Sequence, residues 1–140
     1  MDEGKIGYLQ MIQEPICRTS TISAIFKGFA ATIVAGISII SYSSTNTWVL
    51  GLSFLPVLAF AILDIYYLKL ERRFRFLFDK VRKGEQEINF MMNPVCNSSE
   101  IIAAKARVRD CIKSPSVYLF YPPMIAILVV VLVLKFYEVI

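Results

Sequence analysis

The sequence contains no histidine, and its 140 residues include only three cysteines, Cys17, Cys96 and Cys111. Histidine is the commonest general base and a common metal ligand, so its absence argues against most acid–base catalysis and most metal sites. The cysteines are odd in number and far apart, which favours free thiols in a reducing compartment over a metal site or a disulfide framework. The sequence also lacks a glycine-rich phosphate loop and a nucleophile elbow. We therefore expect no enzyme, no metal and no cofactor.

Charged side chains are missing from two long stretches of the chain. Residues 28–63 are 36 consecutive positions without Asp, Glu, Lys or Arg, and residues 114–134 are a second such run of 21. One membrane-spanning helix needs about 20 apolar residues. The first run is long enough for two spans and a turn, and the second for one span. Together with a mean hydropathy of +0.60, these runs predict an all-α membrane protein with three transmembrane helices.

Prolines, turn residues and helix-capping patterns set the predicted boundaries. Residues 1–21 form an N-terminal segment with a short helix that lies on the membrane surface or packs on its neighbours, interrupted at Pro15. Ser20 or Thr21 would cap the first span. The predicted spans are residues 22–41, 48–68 and 116–137, with a polar turn at 41–47.

The second span is predicted to continue out of the membrane as one helix over residues 48–83, bent at Pro56 and stopped by Gly84. It leads into a cytoplasmic helical segment, residues 69–113. Asn97 and Glu100 resemble a capping box for a further helix over 98–112. The apolar face of that helix would consist of Ile101, Ala104, Val108 and Ile112.

A coiled-coil-like seam runs along the projecting part of the second helix. It consists of apolar residues spaced alternately three and four apart: Tyr67, Leu70, Phe74, Leu77 and Val81. Apart from the predicted 98–112 helix, the seam has no obvious partner within the chain. We therefore predict that it joins subunits of a homo-oligomer, together with the small residues of the first span. The interface candidates are Gly28, Gly36, Leu70, Phe74 and Leu77.

The distribution of positive charge orients the chain. Residues 64–113 carry 11 of the 15 Lys and Arg residues but only seven of the 11 Asp and Glu residues. Because positively charged loops stay in the cytoplasm, the predicted topology has the N-terminus inside and the C-terminus outside.

Polar residues in and beside the spans are candidates for a pore lining. They are Thr32, Ser38, Ser41 and Asp64. Hydroxyl groups in membrane helices often serve only helix packing. Asp64 ends the second apolar run, so it is either a charge at a pore mouth or ion site, or an interfacial residue in water.

The segment between the second and third spans combines cations with aromatic rings. Such surfaces suit single-stranded nucleic acid or nucleotides. The simpler interpretation is attraction to anionic lipid. The candidate polyanion-binding residues are Lys69, Arg72, Arg73, Lys105, Arg107 and Arg109.

Three blocks of the chain resemble a known kind of protein: LDIYYLKLERRFR at residues 63–75, FKGFAAT at 26–32 and YLFYPP at 118–123. They are similar to small bacterial inner-membrane proteins found in phage-defence operons beside nucleotidyltransferases, as in Hailong-type systems. The resemblance implies a multi-pass, homo-oligomeric ion channel. It implies gating by a nucleotide or DNA oligomer that the partner nucleotidyltransferase makes, and depolarisation of the infected cell when the channel opens.

Two other hypotheses stay open at this point. One is a membrane adaptor or scaffold whose basic segment docks a protein or acidic lipid without conduction. The other is the membrane anchor of a two-component enzyme. Conduction by the purified protein separates the channel from both.

Overall fold

The computed structural model describes residues 2–42, 46–94 and 97–137. These residues are 81% helical and contain no strand. The helices are α1 (Glu3–Tyr42), α2 (Thr47–Leu52), α3 (Phe54–Lys83), α4 (Ser98–Ala103), α5 (Val108–Ile112), α6 (Pro115–Tyr118) and α7 (Tyr121–Phe136).

Among the described residues, two stretches are long and apolar enough to cross a membrane, Glu3–Ile40 and Thr47–Lys83. A third span is counted if the broken pair Ser98–Tyr118 and Tyr121–Phe136 is taken as one. The prediction of an all-helical protein with membrane-spanning helices is confirmed at this level.

The N-terminal segment and the first span are one helix, contrary to the predicted interruption at Pro15. Ser20 and Thr21 lie inside this helix instead of capping it, and the Thr21 hydroxyl donates to the carbonyl of Cys17 at 3.0 Å. A proline inside a helix costs about 3 kcal/mol. Ile12 and Ile16 on either side of it are buried, and each such burial contributes about 1.5–3 kcal/mol. Packing therefore outweighs the local break.

The helix predicted over residues 48–83 is interrupted at Ser53, three residues before the expected bend at Pro56. The first four N–H groups of a helix have no partner within it. Starting α3 at Phe54 places Pro56 among those positions, where its missing N–H removes no hydrogen bond.

Gly84 ends α3 as predicted. Its φ of 78° is left-handed, and its N–H donates to the Val81 carbonyl at 3.1 Å while the Glu85 N–H donates to Lys80 at 3.0 Å. This pair of bonds is a Schellman motif, which favours glycine at the left-handed position.

The predicted 98–112 helix is wrong, because it is divided into α4 and α5 by Lys105, whose φ is 51°. The division changes which side chains are buried: Ala106 and Cys111 are fully buried, whereas Val108 and Ile112 of the predicted apolar face are about half exposed. The start of α4 is confirmed, since the Asn97 N–H donates to the Glu100 carboxylate at 2.9 Å.

The third predicted span, residues 116–137, is also broken, at Leu119 and Phe120 between α6 and α7. Pro122 and Pro123 explain the break, because both prolines must stand in the first turn of a helix to avoid losing hydrogen bonds. The 16 residues of α7 are about 24 Å long, which is less than the thickness of the hydrocarbon core.

The chain divides into two compact units. The first, which we call the charged unit, consists of Met1–Ser23 and Ile65–Cys111. The second, the apolar unit, consists of Ala24–Asp64 and Ile112–Ile140.

The core of the charged unit joins the first half of α1 to the second half of α3. Its buried residues are Tyr8, Ile12, Ile16, Phe74, Leu77 and Val81, with Leu70 packed against them. The seam therefore has a partner within the chain, the first half of α1, and its apolar residues do not require a second subunit to cover them.

Candidate functional site

A groove on the charged unit, of about 360 Å³, brings several cations to one aromatic ring. We call it the Arg72–Lys105 groove. Its lining is Arg72, Arg75, Phe76, Asp79, Ala103, Ala104 and Lys105. Helix α3 contributes the first four of these residues, and the last residue of α4 and the turn after it contribute the rest. The lining holds three cations, one carboxylate (Asp79) and one aromatic ring (Phe76). The excess of positive charge suits a small anion, and the ring suits an anion that also carries a planar group.

The backbone at Lys105 explains how two distant segments meet at this groove. The Arg72 guanidinium donates to the Lys105 carbonyl at 2.6 Å. The N–H groups of Lys105 and Ala106 donate to Ile102 and Ile101, both at 3.0 Å, so α4 ends in a Schellman motif with lysine where glycine is usual. A left-handed non-glycine residue costs about 1–2 kcal/mol. Such strain at a cation on a groove is typical of a functional position.

Other charges near the groove are already paired. The Arg75 guanidinium contacts the nearly buried Glu71 carboxylate at 2.7 Å. Lys80 forms an ion pair with Glu100 and lies 5.2 Å from the centre of the Phe76 ring. The hydrogen bond from Lys80 is the main cause of the lowered pKa of Glu100. Among these cations, Arg72 and Lys105 have no carboxylate partner among the described residues.

The polyanion residues predicted from the sequence are not all together. Arg72 and Lys105 share the groove just described. Lys69 and Arg73 line a separate, smaller groove of about 80 Å³ with Tyr66 and Leu70. Arg107 and Arg109 are exposed and line neither groove.

Cys111 is fully buried near Arg72 and Lys69. Burial raises the pKa of its thiol, and the two cations oppose that shift without cancelling it. Because the thiolate is the reactive form, a buried thiol with a raised pKa is inert. Cys17 and Cys111 are free cysteines, as predicted, and Cys96 lies outside the described residues.

An ion pair lies within the apolar unit. The Lys27 ammonium is 2.8 Å from the Asp64 carboxylate, whose side chain is only 1% exposed. Tyr121 of α7 is buried beside them; its hydroxyl donates to the Phe60 carbonyl at 3.3 Å and also interacts with Asp64. Asp64 is thus not an interfacial residue in water, and its partner was not predicted. Lys27 and Asp64 are the two charges that bound the long charge-free run, which is the signal that identifies them.

The other pore-lining candidates bond to their own helix. The hydroxyl of Thr32 donates to the Gly28 carbonyl at 2.9 Å, and that of Ser38 donates to the Val34 carbonyl at 2.8 Å. The side chain of Ser41 lies outside the described part of the structure. These bonds satisfy both hydroxyls within the chain and leave a pore-lining role as a prediction.

Comparison of the chain with protein-family models, curated proteins and solved structures found no match.

Proposed function

We propose that the protein is a homo-oligomeric, multi-pass ion channel of the bacterial inner membrane, gated by a polyanion that binds the Arg72–Lys105 groove. The observation that supports this most is the groove itself: Arg72 and Lys105, which have no carboxylate partner among the described residues, line it together with the Phe76 ring. In this proposal the charged unit is cytoplasmic, the N-terminus is inside and the C-terminus outside, because of the excess of Lys and Arg between the second and third spans.

The chemistry of the groove favours a nucleotide or a short DNA strand as the regulator. Guanidinium groups bind phosphate through paired N–H donors, and aromatic rings stack on bases. The groove volume is at the lower end of the range for small-molecule sites, about 300–1,000 Å³. It therefore suits one nucleotide unit. The resemblance to phage-defence channels would make that ligand the product of a nucleotidyltransferase.

An adaptor without conduction is the second candidate function. Its support is the exposed pair Arg107 and Arg109, which lie outside both grooves and are available to an acidic partner surface. Conduction is the property that separates the two functions.

We predict that the purified protein conducts ions in a planar bilayer and that a short oligonucleotide changes its open probability. The direct measurement is current at fixed voltage, with and without the oligonucleotide on the charged-unit side. A protein that inserts but carries no current under either condition would exclude the channel and favour the adaptor.

A titration of oligonucleotide binding at two salt concentrations tests the groove. Binding through Arg72 and Lys105 should weaken about sevenfold between about 50 and 200 mM salt, whereas binding through one cation should weaken about threefold. Arg72→Gln with Lys105→Gln should therefore bind weakly and lose most of the salt dependence. Arg107→Gln with Arg109→Gln removes the same charge outside the groove and should behave as the parent does. Equal losses in the two double variants would contradict the groove.

We predict that subunits meet on the small-residue face of α1. A side chain added at Gly28 or Gly36 would meet no atom within 4 Å inside the chain. Glycine on a lipid-facing surface gains nothing unless another helix approaches closely. Gly28→Leu should therefore leave the subunit folded but reduce its oligomer size in mild detergent, measured by light scattering.

Gly51→Leu is the control for this prediction, because Gly51 in α2 is also exposed and has the same free space. If Gly28→Leu runs at the parental size, the small-residue face is not the interface. The seam residues Leu70, Phe74 and Leu77 are already packed within the chain, so they are no longer needed to explain assembly.

A further inference from the structure

The loop that follows α3 is held against the start of α1. Tyr8 of α1 is fully buried, and its hydroxyl donates to the Met91 carbonyl at 2.8 Å and to Asn89 Oδ1 at 3.3 Å. The Phe90 ring lies 5.5 Å from the Tyr8 ring, measured between their centres. These contacts, all within the charged unit, fix the position of the loop at residues 89–91.

Phe90 has a backbone conformation that is unfavourable for an aromatic residue. Its φ is 54°, in the left-handed region that bulky side chains rarely adopt. The loop nevertheless leaves Phe90 50% exposed and Met91 63% exposed, so burial of these two side chains within the subunit does not offset the strain. Backbone strain of this kind is typical of a functional position.

A groove beside this loop is lined mainly by apolar side chains. It holds about 260 Å³ and lies between α1 and the loop; its lining is Met11, Glu14, Pro15, Arg18 and Met92. Methionine side chains are flexible and polarizable, and they are common at surfaces that accept another protein. The exposed side chains just before Met92 in the loop extend this apolar surface beyond the groove. Exposed apolar patches with a polar rim mark interaction sites.

The surroundings of the groove are acidic, although the chain as a whole is basic. Residues 2–18 and 84–94 carry five Asp and Glu residues but only two Lys and Arg residues, a net charge of −3, whereas the whole chain carries +4. None of the five carboxylates forms an ion pair with a described residue. Two of them stand at the start of α1, where carboxylates complement the helix dipole. The other three are exposed and have no such role: Glu14, Glu85 and Glu87.

The charge decides between the possible occupants of this surface. Anionic lipid and nucleic acid would be repelled by it. A second copy in the same membrane orientation would bring its own acidic surface to the same level, so like charges oppose that contact. A basic amphipathic helix is attracted by the carboxylates, and its apolar face supplies side chains that can fill the groove.

We propose that this surface, which we call the acidic surface, docks a basic amphipathic helix of another protein. Apolar side chains of that helix enter the groove between Met11 and Met92. Its Lys and Arg side chains face Glu14, Glu85 and Glu87. The site does not depend on conduction or on a polyanion regulator, and its partner is opposite in charge to the one that the adaptor function would bind.

Fluorescence anisotropy tests the site with the full chain in phosphatidylcholine nanodiscs, after subtraction of the signal from empty nanodiscs. The probe is a labelled helical peptide of leucine and lysine, about four turns long, with the leucines on one face. The comparison peptide has glutamate in place of every lysine. The chain should bind the lysine peptide about tenfold more tightly than the glutamate peptide, or better.

Two double variants remove the two parts of the surface in turn. Glu85→Gln with Glu87→Gln should weaken binding of the lysine peptide about tenfold, because each exposed ion pair contributes modestly. Met11→Gln with Met91→Gln should weaken it by at least about the same factor, because apolar contacts are lost. All four positions are exposed, so each variant should keep its helical content, measured by circular dichroism.

Each double variant has a matched control elsewhere on the charged unit. Asp79→Asn with Asp110→Asn removes two carboxylates outside the acidic surface. Ile102→Gln with Val108→Gln removes two apolar side chains that are each 50% exposed. Both controls should bind the lysine peptide as the parent does.

Three results would overturn the docking surface. Equal losses in a variant and its control would mean diffuse attraction. Equal binding of the two peptides, or binding of neither, would mean that the carboxylates select no basic partner. A smaller oligomer in mild detergent for Met11→Gln with Met91→Gln would assign the surface to a contact between copies of the chain.

Discussion

Replacing Asp64 by leucine should destabilise the apolar unit strongly, because it removes the carboxylate partner of Lys27. Removing one member of a buried ion pair typically costs about 3–5 kcal/mol. Asp64 is 1% exposed but the Lys27 side chain is 17% exposed, so partial access to water places the expected loss near the lower end of that range. Thermal unfolding in detergent, followed by circular dichroism, measures the effect.

The double variant Lys27→Met with Asp64→Leu is the decisive control. Replacing both members of a buried pair by apolar side chains is often neutral or stabilising, so the double variant should recover the parental midpoint. If Asp64→Leu and the double variant are equally unstable, the loss comes from the shape of the site and not from an unpaired charge.

If the protein is the channel proposed above, the double variant also separates two roles for the pair. A clamp between α1 and α3 needs only good packing, and the double variant would then conduct as the parent does. If the pair is part of the ion path, the current should change although stability is restored. Ionisable residues inside membrane spans are functional candidates by default, and this comparison tests that expectation at Asp64.

The membrane class and several helix boundaries could be predicted because they depend on local chemistry. The two charge-free runs needed only length and composition, and Gly84 and Asn97 act through hydrogen bonds to residues near them in the sequence. The predicted break at Pro15 and the predicted continuous helix through Lys105 were wrong because contacts distant in the sequence decide both. Each residue is locally unfavourable where it stands, and contacts with α3 hold it there: the buried Ile12 and Ile16 in one case, and the Arg72 hydrogen bond in the other.

The candidate site was predictable in residue type but not in grouping. A list of cations cannot show that Arg72 pairs with the Lys105 region while Arg73, its neighbour, faces a different groove, since adjacent helical residues point about 100° apart. The Lys27–Asp64 pair could have been found. The two residues lie at nearly equal distances from the predicted turn at 41–47, so two antiparallel spans bring them to the same level.

Truncating Ile12 should unfold the charged unit's core, whereas truncating its neighbour should not. Ile12 is fully buried against the seam, and Met11 on the same helix is 43% exposed. Ile12→Ala should cost about 2–5 kcal/mol, and Met11→Ala should stay within about 0.5 kcal/mol of the parent. Chemical denaturation of the full chain in detergent, read by circular dichroism, gives both values.

The outcome decides what the seam does. If Phe74 and Leu77 served only to join subunits, α1 would not need to cover them, and Ile12→Ala would be as mild as Met11→Ala. A large loss in Ile12→Ala with unchanged subunit number would place the seam inside the subunit. Phe74→Asp should then destabilise the folded subunit itself, because it buries an unpaired carboxylate in the same core, and any effect on assembly would be secondary to that loss.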